Sequence, residues 1–298
     1  CGSIEHKMGI KASSTCVMNY ENAEAYLIGE INQGINTMFS MMNLERVNIG
    51  LEGLGLSEVS YQNALHYAKE RLQSRALTGT KYPNRIADPI LVHPDIRRML
   101  LTMKAFNEGA RCFAVWVGKL FDINKHEPSA ILQQQAENLI ALTTPVIKAF
   151  FTDYGFENCN LGLQIFGGHG YIQEWGMEQF VRDARIAQIY EGTNGIQALD
   201  LIRRKLILNN GVYLERLVEL IMDFITLNDH HASLGEFIDP LKAKLKDLTD
   251  ISDWIIQNAK INPDIIGASA VDFLHILGLV LLGFMWLQMA AIAITKLD

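Results

Sequence analysis

The sequence lacks any paired cysteine spacing. Its four cysteines, Cys1, Cys16, Cys112 and Cys159, are scattered along the chain. That excludes a disulfide framework and a thiolate zinc site, and it fits a reducing, cytoplasmic compartment. Positive charge is also short. Lys and Arg number 26 against 33 Asp and Glu, for a net charge of −7 and a pI near 5.6, which argues against a nucleic-acid partner. No Glu-x-x-His pair occurs, so a di-metal carboxylate bundle has no ligands. The adjacent His230-His231 have no partner motif and read as a polar helix end, not as a metal site. No signal peptide opens the sequence, and its first residue is Cys1, so the native start is expected to lie elsewhere. Strand-like alternation is confined to the first 29 residues, in Ser14–Tyr20 and Ala25–Ile28. Isolated strands cannot satisfy their edges, so this stretch is expected to be poorly ordered.

What remains is helical pattern. With 298 residues, 49% of them hydrophobic, the chain can bury a sizeable core in one or two domains. Apolar residues recur at helical spacing from Ile35 to Thr78, with a possible break near Gly53–Ser57. Further helices are expected over Asp95–Leu120 and over Pro128–Tyr154, the latter kinked at Pro145, with a helix end at Asn160–Phe166. A Pro- and Gly-rich loop covers Thr80–Pro94. The series reads as an all-α, up-down helical bundle.

Gln164–Leu201 carries the densest signal. It opens on glycines (Gly167, Gly168, Gly170), continues as a short amphipathic helix, breaks at Tyr190-Glu191-Gly192-Thr193 and restarts as a helix. Paired glycine breaks suit a ligand approached by main chain. Thr193 can cap the second helix and leave its N–H groups facing whatever lies beside Glu191. A carboxylate between two helices, among glycines and apolar residues, is a candidate general base, because burial raises its pKa.

These residues, QIFGGHGY followed by RDARIAQIYEGTNGIQ, resemble the C-terminal half of the acyl-CoA dehydrogenases. The resemblance runs from Lys7 to about Lys205. It is closest to the larger bacterial type with an extra helical tail, which includes the 3-methylmercaptopropionyl-CoA dehydrogenases. It implies three divisions: 1–29 as a remnant of the middle β-domain, 30–208 as the C-terminal bundle, and 209–298 as an extra helical domain, expected to be cut short. It also implies an FAD-dependent oxidation of an acyl-CoA to its trans-2-enoyl-CoA, with Glu191 as the α-proton base. Tyr190 and Gly192 would shape the acyl pocket, and Arg46 would approach the CoA. Arg71 would reach the flavin dinucleotide's pyrophosphate, since a guanidinium bonds two phosphate oxygens at once. Gln73 stands where many relatives carry a different contact. Gln164, Gly167, Gly168 and Thr193 would complete the cofactor set. Gly195 stands where many relatives have Gln, so that contact is absent.

The resemblance further implies a homodimer or homotetramer, because the Gln-x-x-Gly-Gly segment serves a neighbouring subunit's cofactor, and an electron-transfer flavoprotein as acceptor. The domains that would cover the flavin ring lie outside this sequence, so the chain alone is expected to be inactive. Two alternatives stand: a flavin-binding homologue without dehydrogenase activity, and a non-enzymatic helical interaction module.

The last third reads as helices over Leu214–Leu227, Phe237–Ala259 and Ile265–Leu297. Ile276–Leu287 is almost wholly apolar, but His275, Gln288 and the absence of flanking basic clusters favour a buried helix over a membrane span.

Overall fold

The computed structural model describes residues 1–296, apart from the side chains of residues 36, 39 and 40. It is all-α, with helices α1 (Gly34–Glu70), α2 (Pro94–His126), α3 (Ala130–Phe166), α4 (Met177–Ala187), α5 (Asn194–Asp200), α6 (Val212–Asn228), α7 (Gly235–Asn258) and α8 (Asp264–Ile294). The chain separates into two compact units. One holds Cys1–Met103 and Tyr154–Glu191, the other Lys104–Asp153 and Gly192–Asp298.

In the first unit a two-stranded antiparallel ladder pairs β1 (Ser3–Ile4) with β2 (Cys16–Val17). Of the two expected strands, only the middle of Ser14–Tyr20 forms. Ala25–Ile28 does not, and its Tyr26, Leu27 and Ile28 are exposed. Apolar alternation supplies propensity but no partner strand, and an unpaired strand has nothing to hold it. The segment is nevertheless tied down at Met8–Ile10. The Ile10 N–H donates to Asp183 of α4 at 2.6 Å, and Arg182 donates to the Met8 carbonyl at 2.9 Å. Gly9 is required there, because a Cβ would sit 2.4 Å from the Arg182 carbonyl oxygen.

Helix α1 runs unbroken through Gly53–Ser57 and ends at Glu70, eight residues before the expected Thr78. Its glycine serves packing instead of a break. A Cβ on Gly155 of α3 would lie 2.5 Å from the Gly53 carbonyl oxygen, so the two backbones meet directly. The buried face is Val47, Leu54, Tyr61, Ala64 and Ala68, together with Ser57 and Ser60. Leu44, Leu51 and Val59, apolar residues of the same helix, are exposed. The two serines belong to a buried polar contact with Asn158, whose Nδ2 donates to Ser57 Oγ at 2.8 Å. Beside them Met99, Leu100, Met103, Ile165, Phe166 and Met177 complete a core.

Helix α3 replaces two expected helices with one of 37 residues that passes through Pro145. Thr143 and Thr144 return their hydroxyls to the Leu139 and Ile140 carbonyls, each at 2.7 Å, in the turn where proline supplies no N–H.

The second unit is built on a cluster of rings, Phe106, Phe113, Phe150 and Phe151, with centroid separations of 5.5–6.2 Å. Each buried phenylalanine contributes roughly 1.5–3 kcal/mol. Helix α8 satisfies the length and hydropathy of a membrane span. It packs against α7 and α5, burying Phe273, Leu274, Leu277, Leu281, Phe284 and Met285. Gly278 lies against Phe150, where a Cβ would be 2.5 Å from the ring. The expected end of this helix, Leu297, lies outside the described residues.

Candidate active site and cofactor cavity

The first unit contains an open cavity of about 530 Å³. Arg71, Gln73, Gln164, Gly167 and Gly168, five of the six candidate cofactor residues, all line it, and Ser74 and His93 join them. Helix α1 delivers Arg71 by ending there. Its N–H closes the last turn onto Tyr67, and its φ of −62° and ψ of 118° turn the chain out of the helix into an extended conformation. Arg71 is thus a helix-end residue, not one inside a helix reaching Thr78. Among the described residues its guanidinium has no partner. Opposite, α3 gives way at Gly167 to a 3-10 turn, Gly167–Tyr171, with Gly167 at φ 60°. A Cβ on either Gly167 or Gly168 would meet nothing within 4 Å, so the backbone here faces open space. The wall beside it is aromatic. Tyr67 stacks on Phe166 at 4.0 Å, His169 stacks on Trp175 at 4.4 Å, and the Tyr67 hydroxyl pairs with His169 Nδ1 at 3.0 Å.

The loop that follows Arg71 is held by a residue that no local motif singles out. Asp88 is buried and accepts from the Ala76 N–H at 3.0 Å and the Tyr82 N–H at 2.8 Å. The Lys81 N–H and Arg75 add bonds of 3.2 and 3.3 Å. Burial opposes its charge, but these donors outweigh burial and hold the carboxyl down at about 2. The knot closes a loop whose two ends meet in an isolated antiparallel bridge between Leu72 and Pro89. Ser74 there takes a φ of 59°.

The break after α4 has an unusual backbone. Glu191 and Gly192 are consecutive left-handed residues, at φ 54° and φ 90°. Glycine adopts that conformation freely, but glutamate does so rarely. Gly192 is also closely approached, since a Cβ would be 2.4 Å from Gln197 Nε2. Glu191 is half-buried. Tyr190, beside it, donates its hydroxyl to Glu52 of α1. Desolvation first, then the Glu52 hydrogen bond and the nearby Glu52 and Glu191 charges, push the Tyr190 phenol well above its ordinary value. Glu52 is a second residue missed from the sequence, 138 positions from its partner. Arg46, six residues before Glu52 on α1, has a buried Nε without a hydrogen-bond partner. Thr193 caps α5, accepting from the Ile196 N–H at 3.4 Å, and falls in the second unit, outside the cavity of Arg71.

Residues 32–206 match the family described as "Acyl-CoA dehydrogenase, C-terminal domain", and residues 217–298 match "Acetyl-CoA dehydrogenase C-terminal like". The chain is 45% identical over 221 residues to 3-methylmercaptopropionyl-CoA dehydrogenase of Ruegeria pomeroyi, covering 74% of this chain and 37% of that protein. It also resembles Caenorhabditis elegans ACDH-11 in complex with C11-CoA, at a TM-score of 0.82 and 19% identity, over 97% of this chain and 46% of that one. A Bacillus anthracis acyl-CoA dehydrogenase complexed with FAD aligns at a TM-score of 0.74 and 23% identity, over 94% of this chain and 48% of that one. The chain belongs to the acyl-CoA dehydrogenase family, and it spans less than half the length of these relatives.

Proposed function

We propose that the full-length protein is an FAD-dependent acyl-CoA dehydrogenase in which Glu191 removes the α-proton of the acyl thioester. The observation that carries this reading is Glu191 itself, an L-residue held at φ 54° beside a glycine at φ 90°, at the break between two helices. Strained backbone of this kind costs about 1–3 kcal/mol and persists where function uses it. The left-handed turn sets the Glu191 carboxylate and its backbone N–H in the short break between α4 and α5. An α-proton becomes acidic only if the developing enolate oxygen meets fixed donors, and a backbone N–H is one.

FAD, when bound, accepts the β-hydrogen as hydride. The cavity residues fit its phosphates. Arg71 offers a planar fork with no partner among the described residues, and Gly167–Gly168 leave main chain open for close approach. The Bacillus anthracis relative is described as complexed with FAD and the Caenorhabditis elegans one with C11-CoA, which supports the same pair here. Arg46, with an unbonded Nε, is assigned to the CoA portion, and Tyr190 and Gly192 to the acyl wall. Gln73, Gln164 and Thr193 complete the cofactor contacts. The assembly is a homodimer or homotetramer in the cytoplasm without a membrane span, and electrons leave to an electron-transfer flavoprotein. The divisions at 29/30 and 208/209 are domain boundaries, and the 298-residue chain by itself binds FAD weakly and does not turn over.

An anaerobic absorbance titration of the full-length protein with a panel of acyl-CoAs tests this. Bleaching of the visible flavin band by one chain length supports dehydrogenation and names the substrate. A flavin band that no acyl-CoA bleaches contradicts it, and absence of flavin removes the enzyme reading altogether.

A further inference from the structure

In the second unit a part-buried polar cluster joins side chains of α3, α5 and α8. Lys148 is completely buried, and an ammonium tolerates that only when paired and hydrogen-bonded. Its Nζ donates to Asn194 Oδ1 at 2.8 Å. The other end of the same amide donates through Nδ2 to Asp153 Oδ1 at 2.7 Å and to Thr152 Oγ1 at 3.0 Å. The second Asp153 oxygen meets His275 Nε2 of α8 at 2.9 Å. An ionised carboxylate only accepts, so Nε2 carries the proton. Asn194 is therefore inserted between an ammonium and a carboxylate, and charge fixes which way its amide points. The reverse orientation would set NH₂ against the ammonium and oxygen against the carboxylate.

Asn194 is the first residue of α5, next to the capping Thr193 and three positions after Glu191. The left-handed pair Glu191–Gly192 cannot hold itself, because such a conformation survives only where its surroundings over-determine it. The chain leaving the turn is fastened at once by the Thr193 cap and by side-chain hydrogen bonds in which the Asn194 amide accepts from Lys148 and donates to Asp153 and Thr152. One support of that anchor, His275, comes from the segment matching the second, C-terminal family. An apolar core helix would sooner carry Leu at 275, where the ring lies edge-on to Phe150 at 5.7 Å.

We propose that Lys148, Asp153 and His275 are positioning residues: they lock Asn194, and through it the Glu191–Gly192 turn, so that the C-terminal helical segment governs the placement of the catalytic carboxylate. The inference rests on Glu191 being the base.

The test uses His275→Ala and His275→Gln in the full-length protein. The His275 side chain is 31% exposed, so both variants are milder than any change at Lys148, and Gln retains an N–H donor for Asp153. In His275→Ala, kcat is expected to fall about 10–100-fold, the cost of a misplaced reacting group, with KM for acyl-CoA within about twofold. Amide hydrogen exchange across 189–196 accelerates while α6 and α7 keep their protection, and His275→Gln recovers most of both effects. Unchanged exchange at 189–196 overturns the proposal. So does a loss of protection spread evenly over α6, α7 and α8 that Gln does not rescue, since that is the signature of general destabilisation. Exchange is read without substrate. If the wild-type protein turns over no acyl-CoA, the enzyme reading fails while the exchange result still decides whether α8 holds the turn.

Discussion

The cavity around Arg71 and the cluster around Asn194 are both rich in polar groups, and they differ in how those groups are satisfied. In the cluster the donors meet internal acceptors: ammonium to amide, amide to carboxylate, imidazole to carboxylate. In the cavity an arginine lacks a partner among the described residues, and two glycines turn main chain toward open space. Buried polar groups that are fully satisfied specify geometry, whereas donors left unpaired in a concave site are held for a ligand. The same chain thus contains an internally bonded cluster just after the Glu191–Gly192 turn and an open cavity with a guanidinium left unpaired among the described residues.

The contrast can be broken from either side. The largest effect is expected at the satisfied cluster. Asn194→Leu removes the amide acceptor of the buried Lys148 ammonium and a donor to the half-buried Asp153 carboxylate, and loss of about 3 kcal/mol or more in unfolding free energy is expected by urea denaturation. A loss below about 1 kcal/mol would mean that the Asn194 amide does not tie the cluster together. Next comes Arg71→Ala, which removes charge-assisted hydrogen bonds of about 1.5–3 kcal/mol. FAD affinity should weaken about 10–100-fold with the unliganded melting temperature unmoved, and Arg71→Lys should restore only part, since it loses the fork. Gly168→Ala sharpens the comparison further. Its methyl meets no atom in the free protein, so stability should stay within about 0.5 kcal/mol. Flavin binding, measured by fluorescence quenching, should fall by about 1 kcal/mol or more if main chain is approached there.

The smallest effect concerns acid. Asp88 is held down at about 2 when folded, below an unfolded aspartate near 3.9, so its contribution is fully present above about pH 4 and disappears as pH falls toward 2. Amide protection at Ala76, Lys81 and Tyr82 should follow that window, and Asp88→Asn should remove the dependence.

Local pattern made the glycine turn, the Thr193 cap and the succession of helices legible. Each is written in residues a few positions apart, and the turn and cap appear where those residues placed them. Five cofactor candidates from two distant stretches converge on one cavity, because a long helix ending at Arg71 and another ending at Phe166 bring their termini together. What local pattern missed was long-range or compensated. Asp153 and His275 are 122 positions apart, and Tyr190 and Glu52 are 138 apart, so no window contains both. The helices expected on either side of Tyr154–Asn160 are one, and α3 passes through Pro145 with the Thr143 and Thr144 hydroxyls bonded one turn back. Ala25–Ile28 had strand propensity and no strand to pair with.

The central claim is that Glu191 is the proton-abstracting base, and one measurement addresses it most directly. Wild-type and Glu191→Gln full-length proteins, each loaded with FAD, are mixed anaerobically with the acyl-CoA that bleaches the wild type, and the flavin band is followed by stopped flow. The account predicts equal flavin content and equal acyl-CoA affinity, with bleaching slowed about 10²–10⁴-fold in the variant. Bleaching at the wild-type rate in Glu191→Gln would contradict it and move the base to another residue.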